Sequence, residues 1–193
     1  VVFVDTRGTN EGVSFIGTNN QVGAALAAQY MCDNLEAGSD VAILQGLISQ
    51  STGQQRAQGA HDGLTECGLN IVAEQPANWD RAMGLSVAET ILAGNPNIKG
   101  IFASNDNMAL GAVEALKQAA MLESVMVVGF DANPDAANSI IAGEMTASIA
   151  QAPDNMGRFG IESLIALNNG ETIEEWVDTG TVLVDASNAA DYQ

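Results

Sequence analysis

Short apolar runs alternate along this chain with longer stretches whose apolar residues recur at helical spacing. Val1, Val2, Phe3 and Val4 form an unbroken apolar run, which predicts a strand buried on both faces. It stops at Asp5, and residues 6–10 read as a polar loop. Residues 13–16 predict a second short extended piece. From residue 20 to 35 the apolar positions Val22, Leu26, Ala27, Tyr30 and Met31 fall on one helical face, with Gly38 placed as a stop. Four strand-then-helix units follow. Residues 41–44 lead to a helix over 53–67, and residues 70–73 lead through Gln75, Pro76 and Trp79 to one over 81–92. Residues 101–103 lead to a helix with apolar Met108, Leu110, Ala112, Val113 and Leu116. Residues 125–130 lead to a helix over 134–142. A strand and an amphipathic helix every ~25–30 residues predict an α/β fold with a doubly wound parallel sheet and right-handed crossovers.

The last third leaves this rhythm. Residues 145–150 read as a strand and 151–154 as a break. A helix over 154–168 carries Met156, Phe159, Ile161, Leu164, Ile165 and Leu167, residues 176–184 read as one extended segment, and a short tail closes the chain. Met83, Met108 and Met126 are expected in the core.

Composition narrows the function classes. The chain has 193 residues, 47% of them hydrophobic and only 4 of them Pro, which fits an ordered globule. No window approaches the ~20 apolar residues that a membrane span requires. The formal charge is -18, from 24 acids against 6 bases, which repels nucleic acid and anionic membranes. The chain begins at Val1 with no basic-then-apolar leader and reads as a mature or trimmed chain. With two cysteines, no CxxC and a single histidine, His61, there is little material for a zinc site or a Cys/His nucleophile. His61 reads as a surface helix residue. The glycine geometries of nucleotide-binding loops and of the hydrolase elbow are absent, so no cofactor and no enzyme activity are expected.

In a doubly wound sheet, ligands collect at the carboxyl ends of the strands. The residues just past those ends are Asp5, Gln45, Gln75 with Trp79, Asn105, Asp131 and Gln151, with Arg56 at the entry to the second helix. Carboxylates accept from adjacent hydroxyls, amides both donate and accept, a guanidinium offers a fork of donors, and an indole covers an apolar sugar face. That set suits a neutral polyhydroxyl ligand. Plainer readings stand beside it: Asn105 or Asp106 as a helix N-cap, Asp131 as a turn residue, Trp79 as packing, Arg56 as a solvated helix charge.

The stretches F-A-S-N-D-N-M-A-L-G-A, V-M-V-V-G-F-D-A-N-P-D and T-A-S-I-A-Q-A-P-D-N-M-G, with A-I-L-Q-G and E-Q-P-A-N-W-D-R before them, resemble ribose-type periplasmic sugar-binding proteins. Sugar-responsive repressor cores share that architecture. The resemblance covers essentially the whole chain. It implies two α/β lobes with a sugar between them, crossed near residues 18–20, 151–152 and 180–182. Residues 1–18 and 152–180 would then be a remnant of an N-terminal lobe, and residues 19–151 and 181–193 the C-terminal lobe. About three βα units, roughly 80–100 residues, would precede Val1 in the family, leaving the first lobe incomplete.

By position in the family pattern, Asp5, Arg56, Asn105, Asp131 and Gln151 match polar sugar ligands, and Trp79 matches an aromatic stacking residue that is often Phe. The family often places Arg directly after the first Asp. Here Thr6 intervenes and Arg7 comes one place late as a further ligand candidate. No metal site is implied. The implied function is a periplasmic or extracytoplasmic receptor that closes around a monosaccharide or polyol and delivers it to a membrane ABC permease, without entering the membrane itself. The alternative is the effector-binding core of a sugar-responsive repressor, which would need a basic helix-turn-helix before Val1. Cys32 and Cys67 end helices flanking the same strand, so an oxidising compartment would pair them, with two buried thiols as the alternative. The helix over 154–168 is expected to lack a full sheet beneath its apolar face.

Overall fold

The computed structural model describes residues 1–8 and 11–193. The end of the expected 6–10 loop, Thr9 and Asn10, lies outside the described residues. In chain order the elements are β1 (Val2–Val4), β2 (Ser14–Gly17), α1 (Asn20–Asn34), β3 (Asp40–Gln45), α2 (Ser51–Glu66), β4 (Asn70–Pro76), α3 (Arg81–Gly94), β5 (Gly100–Ala103), α4 (Asp106–Gln118), β6 (Met126–Asp131), α5 (Pro134–Ile141), β7 (Ala147–Ala150), α6 (Pro153–Asn168), β8 (Trp176–Asp178) and β9 (Val182–Val184). They divide into two compact units, one of Val1–Asn19 with Gln151–Thr181, the other of Asn20–Ala150 with Val182–Gln193.

The larger unit is a six-stranded sheet in the order β4-β3-β5-β6-β7-β9, parallel except for the antiparallel edge β9. Alternate residues of each central strand face opposite sides. From β3, Val41 and Ile43 pack with Ala24, Ala28 and Met31 of α1 and with Ala60 and Leu64 of α2. Ala42 and Leu44 pack on the other side, with Ala88 and Ile91 of α3, Met108 and Leu116 of α4 and Ile140 of α5. Both faces are covered, which is why these strands are continuous apolar runs instead of alternating ones. Helices α3 and α4 meet at Gly84 and Gly111. A Cβ on Gly84 would lie 2.7 Å from the Met108 carbonyl oxygen, and one on Gly111 2.6 Å from the Leu85 nitrogen, so only glycine permits this approach. Cys32 of α1 and Cys67 at the end of α2 form a disulfide, their Cα atoms 6.1 Å apart. In the chain-entropy account such a loop contributes ~3–4 kcal/mol.

Among its described residues the smaller unit has three parallel strands in the order β1-β2-β8 and one helix, α6, packed on β1 and β2. Only the central strand β2 is buried throughout. The expectation that residues 1–4 are buried on both faces is corrected: Val1 is 71% and Val4 40% exposed, because β1 is an edge strand beneath a single helix. Helix α6 buries Met156 and Gly160 but leaves Ile161, Leu164 and Ile165 more than half exposed.

Two further expectations change. Residues 176–184 are not one extended segment but two strands, one in each unit, separated at Gly180, whose φ is +81°. The Gly180 N–H donates to Asp178 Oδ1 (3.0 Å), turning the chain there. Met108 is fully buried and Met126 partly so, but Met83, in the first turn of α3, faces outward. No helix among the described residues is long and apolar enough to cross a membrane.

Candidate functional site

Four of the sequence-selected residues meet at the carboxyl ends of β3, β4, β5 and β6. Arg56 sits inside α2 and is almost wholly buried, not a solvated helix charge. Its Nε donates to Asn20 Oδ1 (2.8 Å), and its Nη1 donates to the Ser104 carbonyl (2.8 Å) and to Asp131 Oδ1 (3.0 Å). The guanidinium carbon lies 3.7 Å from the Phe130 ring centroid and 5.6 Å from that of Trp79. A buried cation needs this much compensation, and the fork geometry of arginine lets one group take all of it.

Asn105 is the cap of α4 that its plainer reading expected, and it also ties down the Trp79 backbone. Its Oδ1 accepts from the Met108 N–H (3.0 Å), capping α4, while its Nδ2 donates to the Trp79 carbonyl (3.3 Å). Trp79 lies half-buried with its ring against Gly46, where any Cβ would run into the indole. Its Nε1 donates to Gln50 Oε1 (2.8 Å), which fixes the ring edge. The Asp131 side chain is one-third exposed, so one side of its ion pair remains open to solvent.

Behind Asp131 lies Asp106, fully buried at the start of α4. Its Oδ1 accepts from the Ser148 hydroxyl (2.6 Å) and its Oδ2 from the Asn133 N–H (2.8 Å). Ser148 Oγ in turn accepts from the Ala132 N–H (3.0 Å). Burial pushes the Asp106 carboxyl up to about 7. That value already includes the Ser148 and Asn133 hydrogen bonds and Arg56, which pull it down, and the Asp131 charge, which adds to the rise.

Asp5, Arg7 and Gln151 belong to the smaller unit. Asp5 is exposed just past the end of β1, its N–H donating to the Ile16 carbonyl (2.9 Å) and its Oδ2 accepting from Thr6 Oγ1 (3.0 Å). Gln151 is half-buried and accepts from Thr18 Oγ1 (2.8 Å), directly after β2. Both therefore lie at carboxyl ends. Arg7 does not. Its guanidinium stacks 4.6 Å from the Phe15 ring centroid, in a groove of 590 Å³ lined by Gly12, Val13, Glu175 and Trp176, which sit at the amino ends of β2 and β8.

The other rim glutamines turn away. Gln45 donates to Glu74 (3.2 Å), which also pairs with His61, and Gln75 lines a separate groove beside α3. Among the described residues no group of three or more His, Cys, Asp or Glu side chains is placed to hold a metal ion.

Sequence reading passed over Asn20, Gln50, Phe130, Ser104 and Ser148, and it treated Asp106 only as a possible cap. One backbone signal in the larger unit is invisible in a sequence: Trp79 and Asp131 hold positive φ, at 66° and 113°, as do their neighbours Asn78 and Ala132. Non-glycine residues in that region are costly and persist where surrounding contacts over-determine them.

Comparison with known proteins adds a second line. The family model for the periplasmic binding protein domain matches residues 1–172. The ribose import binding protein RbsB of Escherichia coli (strain K12) is 37% identical over 175 residues, covering 90% of this chain and 59% of that protein. The chain thus spans less than two thirds of that relative's length. An ABC transporter periplasmic solute binding protein from Actinobacillus succinogenes 130z, solved with bound D-allose, superposes with a TM-score of 0.93 at 33% identity, covering 99% of this chain and 70% of that one. An ABC transporter solute binding protein from Bacillus halodurans C-125, solved with bound myo-inositol, superposes with a TM-score of 0.92 at 26% identity, covering 99% and 67%.

Proposed function

This chain belongs to the periplasmic binding protein domain family, and from that premise we propose that it serves as a solute receptor for a monosaccharide or polyol. The observation that carries the proposal is the joining of Arg56, Trp79, Asn105 and Asp131 into one polar–aromatic cluster at the carboxyl ends of the larger sheet. In this reading Asp131 accepts from ligand hydroxyls while Arg56, neutralised by the same carboxylate, holds it in place. Trp79 offers a flat face of fixed orientation to the C–H side of the ring. The Asn105 amide lies at the same rim, and Asp5 and Gln151 join the set through their positions in the family pattern. Arg7, at the amino ends of its strands, is left out. The cluster holds one cation against one anion, which fits a neutral ligand better than a charged one.

The role is binding without catalysis, with delivery of the solute to a membrane ABC permease. An extracytoplasmic location accords with the Cys32–Cys67 disulfide, since such bonds persist in oxidising compartments. In this reading the unit of Val1–Asn19 with Gln151–Thr181 is part of the family's N-terminal lobe, and that of Asn20–Ala150 with Val182–Gln193 its C-terminal lobe.

Calorimetric titration with D-ribose, D-allose and myo-inositol tests the reading, with a charged amino acid as the control solute. One of the three polyhydroxyl compounds should saturate a single site, and Asn105→Leu should weaken it by about 1–3 kcal/mol, because a buried ligand group loses its hydrogen-bond partner. Saturable binding of the charged solute alone would overturn the assignment.

A further inference from the structure

We infer that Asp106 is a positioning residue for the sugar site: its buried carboxylate fixes the turn that carries Asp131 and makes ligand affinity depend on pH. The inference rests on the sugar-site reading above and adds a residue that the rim-based argument did not select.

The geometry is specific. Asp131 and Ala132 hold φ of 113° and 51°, a conformation that the chain does not adopt without support. That support comes from one carboxylate. Asp106 Oδ2 takes the Asn133 N–H directly, and Oδ1 takes the Ser148 hydroxyl, which holds the Ala132 N–H. The two amides that follow Asp131 are therefore anchored, one of them through a single intervening hydroxyl, to a group outside the rim. On its strand side Asp106 faces Gly129, where an added Cβ would run into Oδ1, so the carboxylate is confined as well as bonded. The charged groups bearing on it are Asp131, at the end of β6, and Arg56, from α2. Its remaining neighbours, Ser148 and the Asn133 amide, carry no charge.

The direction of the pH effect follows from linkage. Burial pushes Asp106 up to about 7, and the Asp131 charge contributes to the rise. Ligand hydroxyls donating to Asp131 would disperse that charge, so Asp106 gives up its proton more readily when sugar is bound. A group whose pKa falls on binding makes affinity rise with pH. The ionised form also makes charge-assisted hydrogen bonds to its two donors, and these hold the turn more firmly than a neutral carboxyl would.

The test measures D-ribose and D-allose affinity of the whole chain at pH 6 and pH 8, alongside the ¹³C resonance of the Asp106 carboxyl and the amide signals of Ala132 and Asn133. Wild-type affinity should tighten about two- to threefold between the two pH values, corresponding to a fall of about half a pKa unit on binding. The carboxyl and both amides should titrate together near neutrality. Asp106→Asn keeps the shape and removes the charge, so its affinity should be flat with pH. Ser148→Ala, which frees the Ala132 amide and removes one of the two donors to Asp106, should weaken binding while keeping a pH step, moved to higher pH. An Asp106→Asn profile identical to wild type, or a flat wild-type profile, overturns the inference. If neither sugar binds at either pH, the sugar reading falls and the amides judge the inference alone. Titration of both in wild type and of neither in Asp106→Asn sustains the positioning role, and flat amide signals in wild type reject it.

Discussion

The two units of this chain are made from the same parts and differ in what covers them. In the larger, helices lie on both faces of a six-stranded sheet, and residues such as Ile43, Phe102 and Val128 are wholly excluded from water. In the smaller, one helix serves three strands, and Ile161, Leu164 and Ile165 of that helix face outward. A parallel strand gains its burial from both sides of the sheet, so losing one cover turns an apolar run into an exposed edge. Composition alone does not distinguish the two cases. The charged and polar cluster is correspondingly in the larger unit, where buried neighbours can hold Arg56 and Asp131 in one geometry.

This contrast can be broken by substitution, with site-resolved amide hydrogen exchange reading each unit separately. The largest effect should come from reducing the Cys32–Cys67 bond or replacing both residues by Ser. A loss of ~3–4 kcal/mol in the larger unit would speed exchange of its slowest strand amides by two to three powers of ten. The amides of β2 and α6 should be unaffected. A smaller effect is expected from Gly111→Ala. Its added methyl meets the backbone of α3, which cannot move aside as a side chain would, so a cost of about 1–3 kcal/mol is expected. The smallest belongs to Leu164→Ser on α6, which should change stability by no more than about 0.5 kcal/mol because the side chain is already half in water. A Leu164→Ser loss as large as that of Gly111→Ala would show that the open face of α6 is covered in solution.

The centre of the larger unit was legible because β3, β5 and β6 are buried apolar runs, each followed by a helix whose periodicity sits in the local sequence. Asn105 and Asp80 both accept from the third helical amide, as short polar side chains at that position do. What was not legible depends on partners distant in the chain. Val1 to Val4 read as a strand buried on both faces because nothing local reports that β1 is an edge strand with a single helix packed on it. Residues 176–184 read as one strand because Gly180 gives no sign that the two halves pair in different sheets. In the site, the residue types past each strand end were visible in order. The burial of Arg56 was not, since it depends on Asn20, Ser104 and Asp131, which lie 36, 48 and 75 positions away. Arg7 was a ligand candidate only through the family pattern, one place late, and its stacking on Phe15 draws it toward the amino ends of the strands.

We propose that a sugar rests on the Arg56–Trp79–Asn105–Asp131 rim. A nitrogen–proton NMR titration of the whole chain with D-ribose and then D-allose tests it directly and does not require tight binding. The Trp79 indole N–H, the Arg56 Nε–H and the amides of Asn105, Ala132 and Asn133 should shift together along one saturating curve. Saturating shifts confined to the groove around Arg7 and Trp176, with the rim signals unmoved, would contradict it.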